Sequence, residues 1–364
     1  MKILFLSASY YPNIGGVEKH VLKVSEELIN RGNEVSILTE LSPNLKPNKK
    51  NNYQSIEQSD TYGINLEKPV KSRYFEHFEY KKTKIYYFKF GRKGWFKKFR
   101  IWWILLKNKN IIQHSDIVHC HDVFFWYLPF RFLYPHKKIF TTFHGYESYP
   151  IKSKAIIIRK ISEIFSNGTI CVGEFMKKWY FANPDYIIYG GVNIPKTIKP
   201  IKTASALFFG RLDEQTSILD YCKAVVQIRK LHPKFDFAVA GEGKFYSKAK
   251  ETGRMLGFVK NPENLLTKYR FAFVSRYLSI LEALAAKRMV LALYDNPVKR
   301  DYLEMAPFKK YINIVNDYRD LASKVQLYYS NKKNAQSKLD KGHSWASKQT
   351  WGKVTDTYLK LWEI

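Results

Sequence analysis

The sequence predicts an α/β protein with two Rossmann-like, doubly wound domains that face each other across a cleft. Short apolar strands alternate with amphipathic helices along nearly the whole chain, a glycine pair follows the first strand, and the same pattern restarts near residue 206. Such alternation is typical of parallel sheets that are covered by helices on both faces. A length of 364 residues also favours two domains over one.

The first domain opens with a buried strand over Lys2–Ser7, followed by a loop that contains Gly15 and Gly16, and then a helix from about Val17. Glycine lets the backbone approach a ligand closely at a helix start, so the glycine pair fits a ligand loop, and equally an ordinary tight turn. The polar segment Pro43–Pro69 is predicted to be a mobile loop. Further strands are predicted over Glu34–Thr39, Lys84–Phe90, Asp116–His119, Lys138–Phe143, Asn167–Val172 and Tyr186–Tyr189.

Residues 91–110 place aromatic and basic side chains at helical spacing. This composition fits a helix that lies in the headgroup layer of an anionic membrane. It fits equally well a helix that packs on the core and keeps a solvated basic face. The candidate membrane contacts are Lys93, Trp95, Lys97, Lys98, Arg100, Trp102 and Trp103.

Two of the predicted strands deliver histidines to their carboxyl ends. One strand ends at His119 and continues into His121, and another leads to His144. Ligands of open α/β sheets bind at this edge, so these histidines are candidate site residues as well as candidate structural ones. A metal site is not predicted, because adjacent strand residues point to opposite faces and no second cluster supplies further ligands.

The second domain begins after the lysine- and proline-containing linker Ile194–Ser205. Arg211 follows the first strand of this domain and is a candidate partner for a diphosphate. A final helix over Thr350–Trp362 is predicted to cross back to the first domain. We therefore assign residues 1–197 and 348–364 to the first domain and residues 198–347 to the second. Strands are predicted over Ala206–Phe209, Phe235–Ala240, Met255–Val259, Phe271–Val274 and Met289–Leu293.

The stretch Ser279–Lys287 predicts a helix that directly follows a strand, with Ser279 as its N-cap and Glu282 in its first turn. Free backbone N–H groups at such a helix start can hold an anion. Glu282 is then placed to accept hydrogen bonds from hydroxyls such as those of a ribose. The alternative is that Glu282 only complements the helix dipole.

The composition is strongly basic, with 61 lysines and arginines against 32 acidic residues and a net charge of +29. This excess favours anionic partners, namely nucleic acid, an acidic membrane surface or phosphate-bearing ligands. The three cysteines are widely spaced and form no disulfide or zinc pattern, which favours a reducing compartment. Since no apolar run approaches the ~18 residues of a membrane span, we expect a cytoplasmic protein, with or without peripheral attachment to the inner membrane face.

Taken in order, the motifs resemble those of the retaining glycosyltransferases of family 4, which have the GT-B fold. The resemblance extends along nearly the whole chain, and the order of the motifs makes it specific. The matching segments are Pro12–Glu18, Arg31–Val35, Asp116–His121, Phe143–Gly145, Gly190–Asn193, Phe209–Leu212, Ala240–Gly243 and Ser279–Ala283.

The resemblance implies transfer of a sugar from a nucleotide-sugar donor to a hydroxyl of a lipid-linked or glycan acceptor, with retention at the anomeric carbon and no metal or other cofactor. By position, Arg211 is expected to neutralise the departing diphosphate, His144 to lie near the transferred sugar, and Glu282 to bind the ribose hydroxyls. The other candidates are Gly210, Glu242, Ser279, Ile280 and Leu281 for donor binding, and Gly15, Gly16, Glu18 and His119 for an acceptor or phosphate loop.

Two departures from the family pattern affect the donor pocket. Thr216-Ser217 stands where the family has Lys-Gly, and Val274 stands where it has a glutamate that contacts the transferred sugar. Our hypothesis is that Arg276 replaces the missing lysine and takes part in catalysis. Two other functions remain open at this point: a non-catalytic homologue or binding subunit, and a transferase that acts on nucleic acid. The donor sugar, the acceptor and the oligomeric state are not predicted.

Overall fold

The computed structural model describes residues 1–10, 15–41, 70–71, 74–91, 94, 96–201, 203–259, 262–330 and 332–363. These residues form two largely parallel β-sheets, each covered by helices, which confirms the predicted doubly wound α/β architecture. The first sheet ends at Ile188 and the second begins at Ser205, so the domain boundary that we propose at 197/198 lies between them. The segment Pro43–Pro69, predicted to be a mobile loop, lies outside the described residues.

The first sheet has nine strands in the order β3-β4-β5-β2-β1-β6-β7-β8-β9. All its pairings are parallel except β3–β4 and β4–β5, which are antiparallel. The carboxyl ends of β1, β6 and β7 therefore meet at one edge. The strands are β1 (Lys2–Ser7), β2 (Glu34–Glu40), β3 (Val70–Lys71), β4 (Phe75–Tyr80), β5 (Thr83–Phe88), β6 (Ile117–His121), β7 (Lys138–Phe143), β8 (Gly168–Val172) and β9 (Tyr186–Ile188).

Helices cover both faces of this sheet. The helices that follow its strands are α1 (Gly16–Asn30), α2 (Lys97–Lys107), α3 (Asn110–Gln113), α4 (Phe124–Leu133), α5 (Ser153–Phe165) and α6 (Phe175–Tyr180). Helix α1 packs on one face, whereas α2 and α4 bury their apolar sides on the other. Helix α4 also contacts both α2 and α5, so these three helices form one outer layer.

The second sheet has six parallel strands in the order β12-β11-β10-β13-β14-β15. Its strands are β10 (Ser205–Phe209), β11 (Asp236–Ala240), β12 (Arg254–Gly257), β13 (Phe271–Phe273), β14 (Met289–Leu293) and β15 (Asn313–Val315). Its helices are α7 (Ile218–Leu231), α8 (Tyr246–Lys250), α9 (Pro262–Leu266), α10 (Tyr277–Ala285), α11 (Pro297–Glu304), α12 (Tyr318–Ser330) and α13 (Lys332–Ala346). Short 3₁₀ turns lie at Glu214–Thr216 and Lys309–Tyr311.

The last helix, α14 (Trp351–Trp362), returns to the first sheet, as the sequence predicts. It packs on α1, β8 and β9, and its apolar stripe is part of the buried cluster under that sheet. The two halves of the molecule also share a buried cluster that contains Phe175 from one half and Tyr277 from the other. Within the described ranges, no helix combines the length and apolar character needed to span a membrane.

Candidate functional site

The site is built around the loop that follows β10, where two guanidinium groups meet. The side-chain oxygen of Gln215 accepts a hydrogen bond from Arg211 at 2.8 Å and another from Arg276 at 2.7 Å. The Gln215 amide nitrogen donates to the carbonyl oxygen of Glu147, in the other half of the molecule, at 2.8 Å. Arg211 is exposed and Arg276 half-buried. The structure thus brings both predicted cations together at the junction of the two halves.

Arg276 is held by aromatic rings rather than by a carboxylate. Its guanidinium lies 5.2 Å from the ring centroid of Tyr146 and 5.8 Å from that of Tyr302. Such contacts with ring faces stabilise a cation without neutralising it. Over the described ranges, no carboxylate oxygen lies within 4.0 Å of Arg276, whereas Arg211 pairs with Asp213 at 3.3 Å. The arrangement therefore leaves positive charge available for an anion.

Two loops that contain glycine contact each other closely beside these arginines. Gly210 and Gly241 both have positive φ, and a Cβ on Gly241 would lie 1.9 Å from the Gly210 carbonyl oxygen. Only glycine is compatible with that approach. The Glu242 carbonyl accepts a hydrogen bond from the Leu212 amide at 2.9 Å, while the Glu242 side chain is exposed. The predicted residues Gly210 and Glu242 thus adjoin Arg211 through the backbone.

Helix α10 begins three residues earlier than the sequence predicts. Arg276, not Ser279, occupies the N-cap position, and the Tyr277 amide donates to the Tyr302 hydroxyl at 2.9 Å. The Ile280 amide already donates to the Arg276 carbonyl inside the helix. The prediction that Ser279 caps the helix and that Glu282 lies in its first turn is therefore wrong. A capping hydroxyl from α11 is a tertiary contact, which a local pattern does not reveal.

The shift in α10 changes the surroundings of the predicted phosphate and ribose ligands. The side chains of Ile280 and Leu281 are buried, and Leu281 lies too far into the helix for its amide to remain free. Glu282 is also buried, and its carboxylate forms an ion pair with Lys19 from α1. Burial raises the pKa of Glu282, and the ammonium of Lys19 opposes that shift. In this structure the carboxylate that we predict to bind ribose is therefore paired with Lys19.

The glycine loop at the start of α1 lies next to α10. Gly15 is the N-cap of α1, and the Glu18 carboxylate folds over it, 2.5 Å from the position of an added Cβ. Gly16 is exposed and approaches the side chain of Leu278. The loop residues that precede Gly15 in the matching segment, Pro12–Ile14, lie outside the described residues. The predicted acceptor or phosphate loop and the start of α10 thus lie next to each other.

The histidines at the carboxyl edge of the first sheet form a hydrogen-bonded network. The His121 Nδ1 and His144 Nε2 atoms are 2.8 Å apart, and the His144 amide donates to the Asp122 carboxylate at 3.1 Å. His20 and Thr142 each bond the Tyr358 hydroxyl of α14 at 2.9 Å. The bonds of Tyr358 tie α1, β7 and α14 together, and the ring centroid of His144 lies 4.9 Å from that of His20.

Burial controls the protonation of this network. It lowers the pKa of His20 to about 3 and those of the other three histidines well below the usual value. It raises the pKa of Asp122 to about 6, against the opposing effects of Arg159 and the His144 amide. The four imidazoles, those of His20, His119, His121 and His144, are therefore neutral near pH 7.

The structure corrects the prediction that His119 lines an acceptor loop. His119 is fully buried, its Nε2 bonds the Thr142 hydroxyl at 2.7 Å, and its Nδ1 accepts from the Trp362 indole at 3.0 Å. Since both ring nitrogens of His119 have partners within the protein, neither is left to bond an acceptor. Over the described ranges, no three His, Cys, Asp or Glu side chains are grouped so as to hold a metal.

Sequence reasoning missed several residues that contact the two arginines. Gln215, Tyr146 and Tyr302 belong to no motif, so only the folded structure reveals their contacts with the arginines. Val274 is buried in the shared core and has no carboxylate to offer. The Thr216 hydroxyl donates to the Arg211 carbonyl at 2.7 Å. Thr216 therefore stabilises the loop that contains Arg211 instead of supplying a charge.

Helix α2 presents an exposed aromatic edge, as the membrane hypothesis requires, but not all of its cations are free. Lys97 pairs with Glu40 at 2.6 Å and Arg100 donates to the Phe90 carbonyl at 2.5 Å. Lys98 lies 4.2 Å from the ring centroid of Phe125. Trp102 donates to a carbonyl and is half-buried, Trp103 is 48% exposed, and the predicted contacts Lys93 and Trp95 lie outside the described residues.

The exposed apolar surface continues over the neighbouring helices of the same layer. Helix α5 points three isoleucines into solvent at helical spacing, which the sequence analysis did not single out. The exposed apolar residues of α2, α4 and α5 and of Phe96 just before α2 define what we call the outer face. They are Phe96, Phe99, Trp103, Leu106, Phe132, Leu133, Ile157, Ile161 and Ile164.

Two surface cavities lie away from these features. One of about 800 Å³ is bordered by Met1, Asp116 and Lys138, at the amino ends of β1, β6 and β7. The other, of about 520 Å³, is bordered by Ser205 and Asp236 at the amino ends of β10 and β11. Because ligands of open α/β sheets bind at the carboxyl ends, we do not assign either cavity to the site.

Comparison with known proteins agrees with the family and the fold that the sequence predicts. The sequence profile of the family described as Glycosyltransferase Family 4 matches residues 14–194. Solved structures with similar folds include a TarM variant of S. aureus with bound UDP (TM-score 0.70, 13% identity, 100% of both chains), HepE of Anabaena with UDP and glucose (0.70, 12%, 99% of this chain and 98% of that one), and sucrose-phosphate synthase of Thermosynechococcus elongatus (0.70, 13%, 99% and 98%). None of the curated proteins searched matches the sequence significantly.

Proposed function

Since the N-terminal half of this chain belongs to glycosyltransferase family 4 and the whole chain has the GT-B fold, we propose a specific reaction for this glycosyltransferase. It transfers a sugar from a nucleotide-sugar donor to a hydroxyl of a glycan or lipid-linked acceptor. The anomeric configuration is retained, and no metal takes part. The loop Gly210–Ser217 and the start of α10 bind the donor, and the carboxyl edge of the first sheet faces the acceptor.

The observation that carries this proposal is the convergence of Arg211 and Arg276 on Gln215. Glycosyl transfer leaves negative charge on the departing diphosphate. Cations that are positioned in advance stabilise such charge where it develops. Two guanidinium groups also supply the neutralisation that a divalent cation would otherwise provide. The pair is therefore assigned to the diphosphate, with Arg276 acting in place of the lysine that is absent at Thr216.

The remaining roles follow from the positions of their side chains. Glu282 binds the ribose hydroxyls once Lys19 has moved from its carboxylate. His144 faces the transferred sugar, supported by its contacts with His121 and Asp122. Among the structural neighbours, HepE has been solved with UDP-glucose and GtfA with UDP and GlcNAc, which supports a nucleotide-sugar donor for this chain.

A thermal-shift panel of nucleotides and nucleotide sugars tests the donor assignment. A ligand that binds the native state raises the apparent melting temperature, and the rise grows with the logarithm of its concentration relative to its Kd. We expect at least one nucleotide sugar and its parent nucleoside diphosphate to raise it, and the matching free sugar to leave it unchanged. The absence of a shift with every nucleotide would contradict the proposed function.

Once the donor is identified, the anomeric configuration of the product tests whether the reaction proceeds with retention. NMR of the glycoside formed on a simple acceptor is expected to show the same anomeric configuration as the donor. The rate is expected to stay unchanged after treatment with EDTA. An inverted product would contradict retention, and a rate lost with EDTA and restored by a divalent cation would contradict metal independence.

We further propose that the outer face docks on an anionic membrane, which brings the site to a lipid-linked acceptor. The exposed aromatic and aliphatic residues of this face are flanked by exposed lysines such as Lys98, Lys107 and Lys154. Apolar side chains beside cations suit the headgroup layer of a bilayer. The net charge of +29 favours the same surface.

A further inference from the structure

A buried lysine beside the loop Gly210–Ser217 has no role in the function proposed above. Lys299 belongs to α11 and is 1% exposed. Its Nζ donates to the Ser217 hydroxyl at 2.6 Å, and that hydroxyl lies 3.3 Å from the Asp295 carboxylate. In the described part of the chain, no carboxylate oxygen lies within 4.0 Å of the ammonium, whereas Lys19 and Arg211 each have such a partner. One neutral hydroxyl is therefore its direct partner.

Burying an ammonium group without a counterion is costly. Four charged groups act on Lys299: the carboxylates of Asp295, Asp220 and Asp213 favour its protonated form, and Arg276 opposes it. Burial is the largest influence, and the pKa of Lys299 is lowered to about 8. The carboxylates thus do not compensate for the loss of water. An anion in direct contact with the ammonium would compensate for that loss.

The position of Lys299 indicates which anion this is. Its partner Ser217 closes the loop Gly210–Ser217 and has a positive φ of 56°. Helix α7 starts at the next residue, so the positive end of its dipole lies at the same point. Arg211 and Arg276 bind Gln215, two residues before Ser217. Three cations from three separate elements therefore meet around one short loop.

We propose that Lys299 is a third ligand of the donor diphosphate, delivered by α11 beside Arg211 and Arg276. This inference rests on the proposed function, since it adds a residue to the same donor site. In the free protein the Ser217 hydroxyl holds the ammonium. In the complex a phosphate oxygen takes that place and supplies the counterion that the buried cation lacks. The site thus selects for a diphosphate over a single phosphate.

Calorimetric titration with UDP, GDP, ADP and pyrophosphate tests this proposal, using the wild type and the Lys299→Met variant. We expect the variant to bind the preferred nucleoside diphosphate at least tenfold more weakly, and to lose less affinity for the corresponding monophosphate. Lys299→Arg is expected to retain most of the affinity. Lys338→Met is the matched control, because Lys338 is a partly buried lysine of the same half whose pKa is also lowered to about 8, and it donates to the Ile312 carbonyl.

Proton uptake gives a second measurement, which a purely structural lysine would not affect. A phosphate beside Lys299 stabilises its charged form, so the wild type is expected to take up protons on binding the diphosphate at about pH 8.5. Titrations in buffers of different ionisation enthalpy measure this uptake. It should be absent in Lys299→Met and unchanged in Lys338→Met. Should Lys299→Met fail to fold, the uptake by the wild type still decides the question.

The possible failures are distinguishable. If the wild type binds none of the nucleotides, the proposed function fails and this inference fails with it. If the wild type binds a nucleoside diphosphate but Lys299→Met binds it as tightly, or if binding takes up no proton near pH 8.5, only the role of Lys299 is overturned. An equal loss for diphosphate and monophosphate would also overturn it, because it would indicate a general structural effect.

Discussion

In the proposed donor site, Arg276 is held by two aromatic rings and by Gln215 without a carboxylate partner. If Arg276 binds the donor diphosphate as we propose, the variant Arg276→Ala removes a cation that makes charge-assisted hydrogen bonds with it. Hydrogen bonds to charged groups contribute about 1.5–3 kcal/mol. We therefore expect calorimetry to show at least ~10-fold weaker binding of the nucleotide sugar.

Arg270→Ala is a matched control for this experiment. Arg270 belongs to the same half, lies 4.5 Å from the ring centroid of Tyr329 and donates to the Tyr328 carbonyl, away from the donor loop. Its variant should bind the donor as the wild type does. An Arg276→Ala protein that binds nucleotide sugar with wild-type affinity would rule out the assignment of Arg276 to the diphosphate.

Individual residues also show which parts of the site the sequence predicts and which it does not. Arg211 follows a predicted strand of a parallel sheet, so its place at the ligand edge can be derived from pattern alone. The contact between Lys19 and Glu282 joins residues 263 positions apart, and no local pattern contains it. The burial of Lys299 is equally invisible, because it depends on how α11 packs against the start of α7.

The main strands of both sheets could be predicted from the sequence, because each is a short apolar run between polar loops. Strand β5 was predicted, as Lys84–Phe90, but its antiparallel partner β4 was missed, and with it the hairpin. Its turn places Lys81 and Lys82 at φ values of 48° and 63°, a conformation that asparagine and glycine usually adopt. Two lysines carry no turn signal, so the antiparallel edge of the sheet could not be recognised from local sequence.

Helix α14 is attached to the first half through the hydroxyl of Tyr358, which bonds both His20 and Thr142. The variant Tyr358→Phe leaves these two buried groups without that partner. Such a loss costs about 1–3 kcal/mol. Urea unfolding is expected to show a free energy of unfolding lower by this amount, whereas Tyr246→Phe, at an exposed tyrosine, should unfold like the wild type. Equal stability of the two variants would mean that the hydrogen bonds of the Tyr358 hydroxyl contribute no net stability to the attachment of α14.

The buried histidine network makes the stability of the whole molecule depend on pH. The pKa of His20 falls to about 3 in the folded state, so the unfolded chain binds more protons below the ordinary histidine value of about 6.5. The stabilisation is therefore complete above pH 6.5 and is lost as the pH falls towards 3. Each such histidine contributes about 1.4 kcal/mol per pH unit in that range. Asp122, with a pKa raised to about 6, partly opposes this trend below pH 6.

Denaturant titrations of the wild type between pH 7.5 and 5 check this dependence. The free energy of unfolding is expected to fall with pH, and His20→Asn should reduce the slope by about 1.4 kcal/mol per pH unit. His136→Gln changes an exposed histidine and should leave the slope as it is. A wild-type stability that stays constant or rises as the pH is lowered would contradict the assignment of neutral, buried imidazoles.

The charge of the whole molecule raises a final question, namely whether binding to an anionic membrane is a general effect or belongs to the outer face. In the structure Lys97 and Arg100 have partners within the protein, so Lys98 and Lys107 are the better positions to change. The double variant Lys98→Glu/Lys107→Glu is expected to lose co-sedimentation with phosphatidylserine-containing vesicles at 0.1 M salt. Trp103→Ser, which leaves the charge unchanged, should weaken it as well, because an interfacial helix needs its apolar side chains in the bilayer.

A control with the same change in charge separates the two explanations. Lys248→Glu/Lys250→Glu alters two exposed lysines of α8, in the other half of the molecule. If the outer face docks on the membrane, this control co-sediments like the wild type, since surface charges more than a Debye length from the bilayer contribute little. If it loses as much binding as the α2 variant, the net charge alone explains the attraction and the membrane role of the outer face is wrong.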